Sequence, residues 1–284
     1  MSSEGLRRFN RTWSQRVGAL GESSLGTGRP LAVSRLQFEI GEQGAAVSDL
    51  RERLGLDSGY LSRLLRRLEA DGSVVVRSGA EDARRREAVL TEQGRAEWAE
   101  LETRSQRLAD DLLGRLTERQ QQRLDAALRE AELLIRVATT EIVEVPVASP
   151  VARAAVGRYF AELAERFGFE PGAPDTEGRF FVSTSEGAAV ACGGVRALPD
   201  GRAEIKRLWV DATWRGSGLG GRMLRHLENA AAADGRTEVV LDTKAGLTEA
   251  VALYERSGYR RIPRYNDNTA AELFFAKPLP RRTA

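Results

Sequence analysis

Within this 284-residue chain, the hexapeptide Arg215-Gly216-Ser217-Gly218-Leu219-Gly220 is the stretch whose residue types and spacing point most directly to chemistry. An apolar segment, 203–210, precedes it, and an amphipathic segment expected as a helix over 217–233 follows. A strand that feeds a glycine-rich turn and then a helix is a place for phosphate. Unpaired N–H groups at the helix start point outward, and the helix dipole favours an anion there. Glycine lets the backbone approach the phosphate closely. The loop alone does not say which phosphate compound it holds.

The same residues satisfy Gly-x-Gly-x-x-Gly through Gly216, Gly218 and Gly221, with Asp242 placed after the next strand as a dinucleotide fold would require. Three features oppose that reading. Residues 211–215 intervene between the strand end and the first glycine, where a dinucleotide turn is tight. Hairpin-like strands come first, with Pro199-Asp200-Gly201 as a turn, where a first parallel strand is needed. Gly221 also lies too near the C-terminus for the remaining βαβ units. The pyrophosphate of an acyl-CoA is the better occupant.

The elements that must position this loop follow from periodicity. An amphipathic helix is expected over 151–167 and strands over 180–184, 189–195 and 203–210. The loop helix, a strand at 238–242, a helix at 247–257 and strands near 259–262 and 272–276 complete the second half. The first half is mainly helical, with helices at 31–42, 47–54 and 57–70. Short β-branched strands at 74–76 and 88–90 flank the loop 78–86. A long helix over 91–137 has Gly114 as a break point. The stretch Val145-Pro146-Val147-Ala148-Ser149-Pro150 is a short connection, and the chain is expected as two domains, 1–138 and 139–284.

Arg215-x-x-Gly218-x-Gly220, followed by Leu253-Tyr254-Glu255-Arg256-Ser257-Gly258-Tyr259 and Phe274-Phe275-Ala276-Lys277-Pro278-Leu279, resembles the GNAT acetyltransferases over roughly 139–279. The resemblance implies an α/β fold with a mixed sheet and acetyl-CoA as co-substrate. It implies that the backbone of Arg215, Gly216, Ser217, Gly218, Leu219 and Gly220 holds the pyrophosphate. Strand residues Leu208, Trp209 and Val210 would pair with the pantetheine arm, and Tyr254 would protonate the departing thiolate. Attack by an amine needs a base, and Glu204, eleven positions ahead of Arg215, is the candidate, at a spacing used by some lysine-acetylating members. No covalent intermediate is implied, so acetyl passes directly in a ternary complex. The competing readings are a packing role for Tyr254 and an ordinary edge carboxylate for Glu204. Cys192 is expected as a buried strand residue and His226 as a surface one. Leu247 stands where the family often has asparagine.

In the first half, Leu61, Leu64, Leu65 and Leu68 form one helical face, capped by Asp57 or Ser58. The opposite face carries Ser58, Tyr60, Ser62, Arg63, Arg66 and Arg67, the donor-rich front a recognition helix needs. Leu54-Gly55-Leu56-Asp57-Ser58-Gly59-Tyr60-Leu61-Ser62-Arg63, Asp82-x-Arg84 and Leu90-Thr91-Glu92-Gln93-Gly94 resemble the MarR winged-helix regulators over about 6–137. Ser73 stands where leucine is usual. This resemblance implies a winged helix-turn-helix, double-stranded DNA as partner, a homodimer, and a wing carrying Arg84 and Arg85.

Bulk composition fits that picture. Hydrophobic residues are 42% and charged residues 30%, with a net charge of +2, so any nucleic-acid signal is local. One cysteine excludes an internal disulfide, and one histidine with one cysteine makes a protein-built zinc site an unlikely design, so no metal is expected. No apolar run reaches membrane-span length, and Met1-Ser2-Ser3-Glu4 does not open a signal peptide, which leads to a cytoplasmic expectation and no membrane partner. Three readings stay open. The chain is a bifunctional regulator and acetyltransferase, a regulator whose second half senses acyl-CoA, or an acetyltransferase whose winged helix only dimerises. The amine, a small molecule or a protein lysine, is not legible.

Overall fold

A computed structural model describes residues 3–16, 24–78, 86–168, 177–185 and 187–280. The chain separates into two compact units, Met1–Leu124 and Asp125–Ala284. The sequence places the change near residue 139. The cut falls earlier because Leu133 and Val137, late in a helix that begins in the first unit, pack against the core of the second.

The first unit opens with α1 (Glu4–Arg16), which has no buried residue, and α2 (Leu31–Ile40). A short β1 (Ala45–Ala46) leads into α3 (Val47–Leu54) and α4 (Ser58–Ala70), followed by the hairpin β2 (Val74–Ser78) and β3 (Arg86–Leu90). The helices α5 (Glu92–Leu113) and α6 (Glu118–Thr139) come next, and α6 runs across the division. The expected long helix is thus interrupted just where Gly114 stands. The strands form one sheet in the order β1-β3-β2. Gly55, left-handed at φ 60, ends α3, and the Asp57 side chain caps α4 by accepting from the Tyr60 amide at 2.9 Å. Leu36, Leu50, Leu61 and Leu68 are fully buried together in this unit's core.

The serine at position 73 has a physical partner set. Its hydroxyl donates to Glu97 at 2.6 Å, and Glu97 also accepts from Arg29, Gln37 and Gln93. Gly94 is required beside it, since a Cβ there would lie 1.8 Å from the Ser73 carbonyl oxygen. Burial works against charge on Glu97, but hydrogen bonds from Arg29, Ser73, Gln93 and Gln37 outweigh it and hold the carboxyl at about 2, below its ordinary 4.5. Because the folded-state value is depressed, this stabilisation is present above about pH 4.5 and fades as pH falls towards 2. Glu97→Gln is expected to cost about 1–3 kcal/mol at pH 7. The gap between variant and wild type should narrow when urea unfolding of the full chain is repeated below pH 4; a constant gap would refute the charged network.

The second unit comprises β4 (Ile142–Val145), α7 (Pro150–Phe167), β5 (Arg179–Ser185), β6 (Ala188–Ala197) and β7 (Ala203–Val210). These are followed by α8 (Leu219–Ala233), β8 (Glu238–Thr243), α9 (Thr248–Arg256), β9 (Arg260–Arg261) and β10 (Leu273–Pro278). β4, which ends at the first residue of the expected domain connection, is a sheet edge paired with β5. The sheet order is β4-β5-β6-β7-β8-β10-β9. All neighbours are antiparallel except β7 and β8, whose parallel register holds only at Ala203↔Val239 and Glu204↔Val240. Beyond Glu204 the two strands part. A register shift between Cys192 and Gly194, opposite a left-handed Arg207 (φ 54), accompanies that divergence. One face of the sheet is covered by Leu219, Met223, Leu224 and Leu227 of α8, the other by Ala152 and Ala155 of α7. Among the described residues no helix is long and apolar enough to cross a membrane.

Candidate functional site

The parting of β7 and β8 opens two cavities in the second unit. The larger, about 590 Å³, lies between the end of β7, the glycine loop, α7 and α9. Its lining includes Leu208, Trp209, Val210, Arg215, Gly216, Gly218 and Gly220. Leu219 is instead buried beneath the loop, and Ser217 turns its hydroxyl to the Trp214 carbonyl at 2.6 Å. Gly216 and Gly218 are left-handed at φ 78 and 89, and a Cβ on either would meet nothing within 4 Å. The first amide of α8 with a helical acceptor is that of Arg222, on Gly218 at 3.0 Å. The amides of Gly220 and Gly221 therefore face out of the helix start, as an anion requires. The residues present suit a pyrophosphate.

The Arg215 side chain has a role the loop motif did not announce. It donates to the Val210 carbonyl at 3.1 Å and to both carboxylate oxygens of Glu162, one at 2.6 Å. Glu162 also accepts from the Trp209 indole at 2.9 Å and pairs with Arg166 at 3.2 Å. Burial opposes its charge, but Arg215 and Trp209 prevail and lower its carboxyl below the ordinary range. Glu162 and Arg166 were missed by sequence reasoning, although Tyr159, Glu162, Leu163 and Arg166 stand at i, i+3, i+4 and i+7. All four line the larger cavity.

The second cavity, about 340 Å³, is bounded by β7, β8, α7 and the segment before β10. Both cavities are lined by Tyr254, Tyr159, Leu163, Leu208 and Leu247, so Tyr254 stands where they meet. Tyr254 is packed against Tyr259 and Phe275, with centroids at 5.8 Å in each case. Burial pushes its hydroxyl above the ordinary range, with Tyr159 and Asp242 adding to the effect. The group stays protonated at neutral pH. Leu247, in the position where asparagine is frequent in the family, puts an apolar side chain at this junction.

Glu204 occupies a different place from the one the base assignment requires. Its side chain is 1% exposed and lines neither cavity. It is paired with Arg196, lies 3.8 Å from Lys206, and accepts from Tyr265 at 2.9 Å and Asn266 at 3.0 Å. Asn266 also donates to Asp242 at 2.6 Å, and Asn268 to the other Asp242 oxygen at 3.1 Å. Asp242 lines the second cavity. Since the partners are 61 and 62 residues away, nothing local in the sequence could announce this network.

Cys192 is buried as expected, its thiol pushed up to about 12 by burial. His226 differs from its surface expectation. It is half-buried against Phe181, with centroids 4.7 Å apart, because α8 turns that edge to the sheet.

In the first unit, α4 buries Leu61, Leu64, Leu65 and Leu68, while Ser58, Arg63, Arg66 and Arg67 are exposed and Tyr60 and Ser62 half-buried. The Arg63 guanidinium lies 5.5 Å from the Tyr60 ring centre, Ser62 donates to the Ser58 carbonyl at 2.7 Å, and Arg66 to the Ser62 carbonyl at 3.3 Å. The donor face thus lies on one side of the helix. Asp82, Arg84 and Arg85 lie outside the described residues.

The second unit is thus a mixed sheet opened by two parting parallel strands, with a glycine loop at the opening. Residues 140–259 match the family described as "Acetyltransferase (GNAT) family", and residues 28–85 match the "MarR family". The chain therefore contains a stretch that matches the MarR family followed by a stretch that matches the GNAT acetyltransferase family. It is similar to an "IAA acetyltransferase" of Azospirillum brasilense, 34% identical over 82 residues, 28% of this chain and 54% of that protein. It is also similar to "Probable N-acetyltransferase family 8 member 5" of Mus musculus, 31% identical over 98 residues, 33% of this chain and 43% of that protein. The chain thus spans about half the length of these relatives or less. A GNAT-family acetyltransferase structure from Staphylococcus aureus Mu50 aligns with 49% of this chain and 100% of its own, at 16% identity and a TM-score of 0.45.

Proposed function

We propose that this chain joins a dimeric, sequence-specific DNA-binding half to an acetyl-CoA-dependent N-acetyltransferase half that passes acetyl directly to a primary amine. The observation that carries the enzymatic reading is the meeting of two cavities at Tyr254. One suits a CoA and the other a small acceptor. Acetyl-CoA, bound in the larger cavity, supplies an acetyl group activated as a thioester.

The chain's own residues divide the remaining work. The loop amides around Gly216–Gly221 receive the pyrophosphate, and the free edge of Leu208–Val210 runs along the pantetheine. The Tyr254 hydroxyl, held protonated, donates to the sulfur as it departs. Cys192, buried with its thiol pushed up to about 12, is no nucleophile, which favours direct attack by the amine. Glu204 is assigned to positioning, since its lone pairs are committed to Arg196, Tyr265 and Asn266. The test is amine-dependent release of free CoA across amino acids, polyamines, aminoglycosides and lysine peptides. Tight CoA binding with no turnover would favour the acyl-CoA sensor, a reading that the apolar Leu247 at the cavity junction supports.

The exposed arginine face of α4 supports DNA as a partner. Arg63→Ala is expected to weaken binding at the specific site by about 1–3 kcal/mol, and much less at non-specific DNA. Titrations against the promoter region at several salt concentrations would measure both. An equal loss on all sequences would make Arg63 a phosphate contact only. Homodimerisation is supported by α1, which leaves Leu6, Phe9 and Trp13 exposed, Trp13 at 48%. Sedimentation equilibrium of the full chain would decide it.

A further inference from the structure

We propose that the acceptor is an amine carrying its own carboxylate, an amino-acid-like molecule whose ammonium faces Asp242 and whose carboxylate faces Lys206, Arg207 and Lys244. The inference rests on the acetyltransferase reading and specifies what its second cavity takes.

The charge of the lining is the first observation. Lys206, Arg207 and Lys244 line this cavity, Asp242 is the one carboxylate among the described residues that line it, and Lys206 also lies 3.8 Å from the buried Glu204. A cavity built for a polyamine or an unmodified lysine side chain would carry the opposite balance, since such acceptors are cations without an anion. The acid is also specially placed. Asn266 and Asn268 each donate to a different Asp242 oxygen, at 2.6 and 3.1 Å, which orients the carboxylate. Asn266 is in turn anchored on the buried Glu204.

The second observation is backbone geometry. Consecutive strand residues normally point to opposite faces, yet Lys206 and Arg207 both line this cavity. Arg207 is left-handed at φ 54, opposite the register shift in β6, which interrupts the alternation. A non-glycine residue in that region is strained, and such strain is kept where a site depends on it. Lys244 rests over the Phe167 ring at 5.4 Å, an aromatic face that orients a cation without neutralising it. The volume of about 340 Å³ falls at the low end of small-molecule sites, which suits an amino acid.

The experiment is calorimetric titration of the CoA-loaded full chain with matched acceptors that differ only in the carboxylate: an α-amino acid, its primary amide and the corresponding decarboxylated amine. A panel of side chains is used, so that one poor fit does not decide the result. The expected result is that the best amino acid binds at least tenfold more tightly than its amide and its amine. Lys244→Gln and Lys206→Gln, which keep the aliphatic stems, should each reduce that ratio at least threefold while CoA affinity stays within twofold. Amides or amines that bind as well as or better than their amino acids throughout the panel would overturn the proposal. So would a ratio unchanged in both variants, or preferential binding of a lysine peptide with a blocked C-terminus. Binding decides this whether or not turnover occurs. A carboxylate-dependent acceptor that binds but is never acetylated would sink the enzymatic reading alone.

Discussion

Gly218→Asp is expected to abolish acetyl-CoA binding, by more than about 100-fold or 2.7 kcal/mol, while the protein remains folded. Three facts about position 218 set this outcome. It is the N-cap of α8, its φ is 89, and a Cβ there meets nothing within 4 Å. The left-handed backbone costs a side chain about 1–2 kcal/mol, but aspartate tolerates that region better than most residues. At an N-cap its carboxylate also accepts from the orphan amides of the first turn. Those amides are the ones assigned to the pyrophosphate, so the substituent both occupies the donors and sets a negative charge against the incoming anion. Gly218→Ala separates strain from charge. It should lose stability similarly and yet weaken acetyl-CoA by no more than about tenfold, or 1.4 kcal/mol. Calorimetry gives the affinities and urea unfolding the stabilities. Retained affinity in the aspartate variant would refute the loop as the pyrophosphate site.

What was legible in the sequence tracks the range of the interactions involved. The Asp57 cap, the Gly55 turn, the Pro199-Asp200-Gly201 hairpin and the 203–210 strand are local, and each lies where its residues indicate. The glycine loop was legible for the same reason: strand, turn and helix are contiguous, and φ values of 78 and 89 need glycine. The strand at 142–145 was hidden because its short run precedes Pro146 and its partner, β5, lies some 40 residues on. Glu204 misled because a carboxylate on the right strand at the right spacing carries no sign of its neighbours. Its partners Tyr265 and Asn266 come from a segment without periodicity. Glu162 was recoverable: a glutamate and an arginine on the same helical stripe as Tyr159 and Leu163 call for partners, which Arg215 and Trp209 supply. Ser73, which departs from the family pattern, is matched by Glu97, Gln37 and Arg29, a substitution intelligible only in three dimensions.

Tyr254→Phe is expected to lower kcat on the order of 10²-fold, within the range for losing a general acid, and to leave the KM for acetyl-CoA within about twofold. The ring itself is wedged between Tyr259 and Phe275 and is 5% exposed. Phenylalanine keeps that packing and removes only the hydroxyl, so a change in kcat reports the oxygen rather than the fold. The proton matters most as the thiolate leaves, because the tetrahedral species otherwise returns to amine and thioester. An interaction made only then lowers kcat and kcat/KM together. The pH dependence supplies an independent check. Since burial raises the Tyr254 hydroxyl above its ordinary 10, it remains a donor throughout the range in which amines lose their proton. The rate should therefore climb with pH as the acceptor deprotonates and show no fall assignable to this tyrosine below about pH 10. The phenylalanine variant should keep the same rise at a lower level, because the rise belongs to the amine. A variant with unchanged kcat would return Tyr254 to a packing role. A variant with raised KM and unchanged kcat would place its hydroxyl in ground-state binding of the thioester, with the departing sulfur left to solvent or to the attacking amine's own proton.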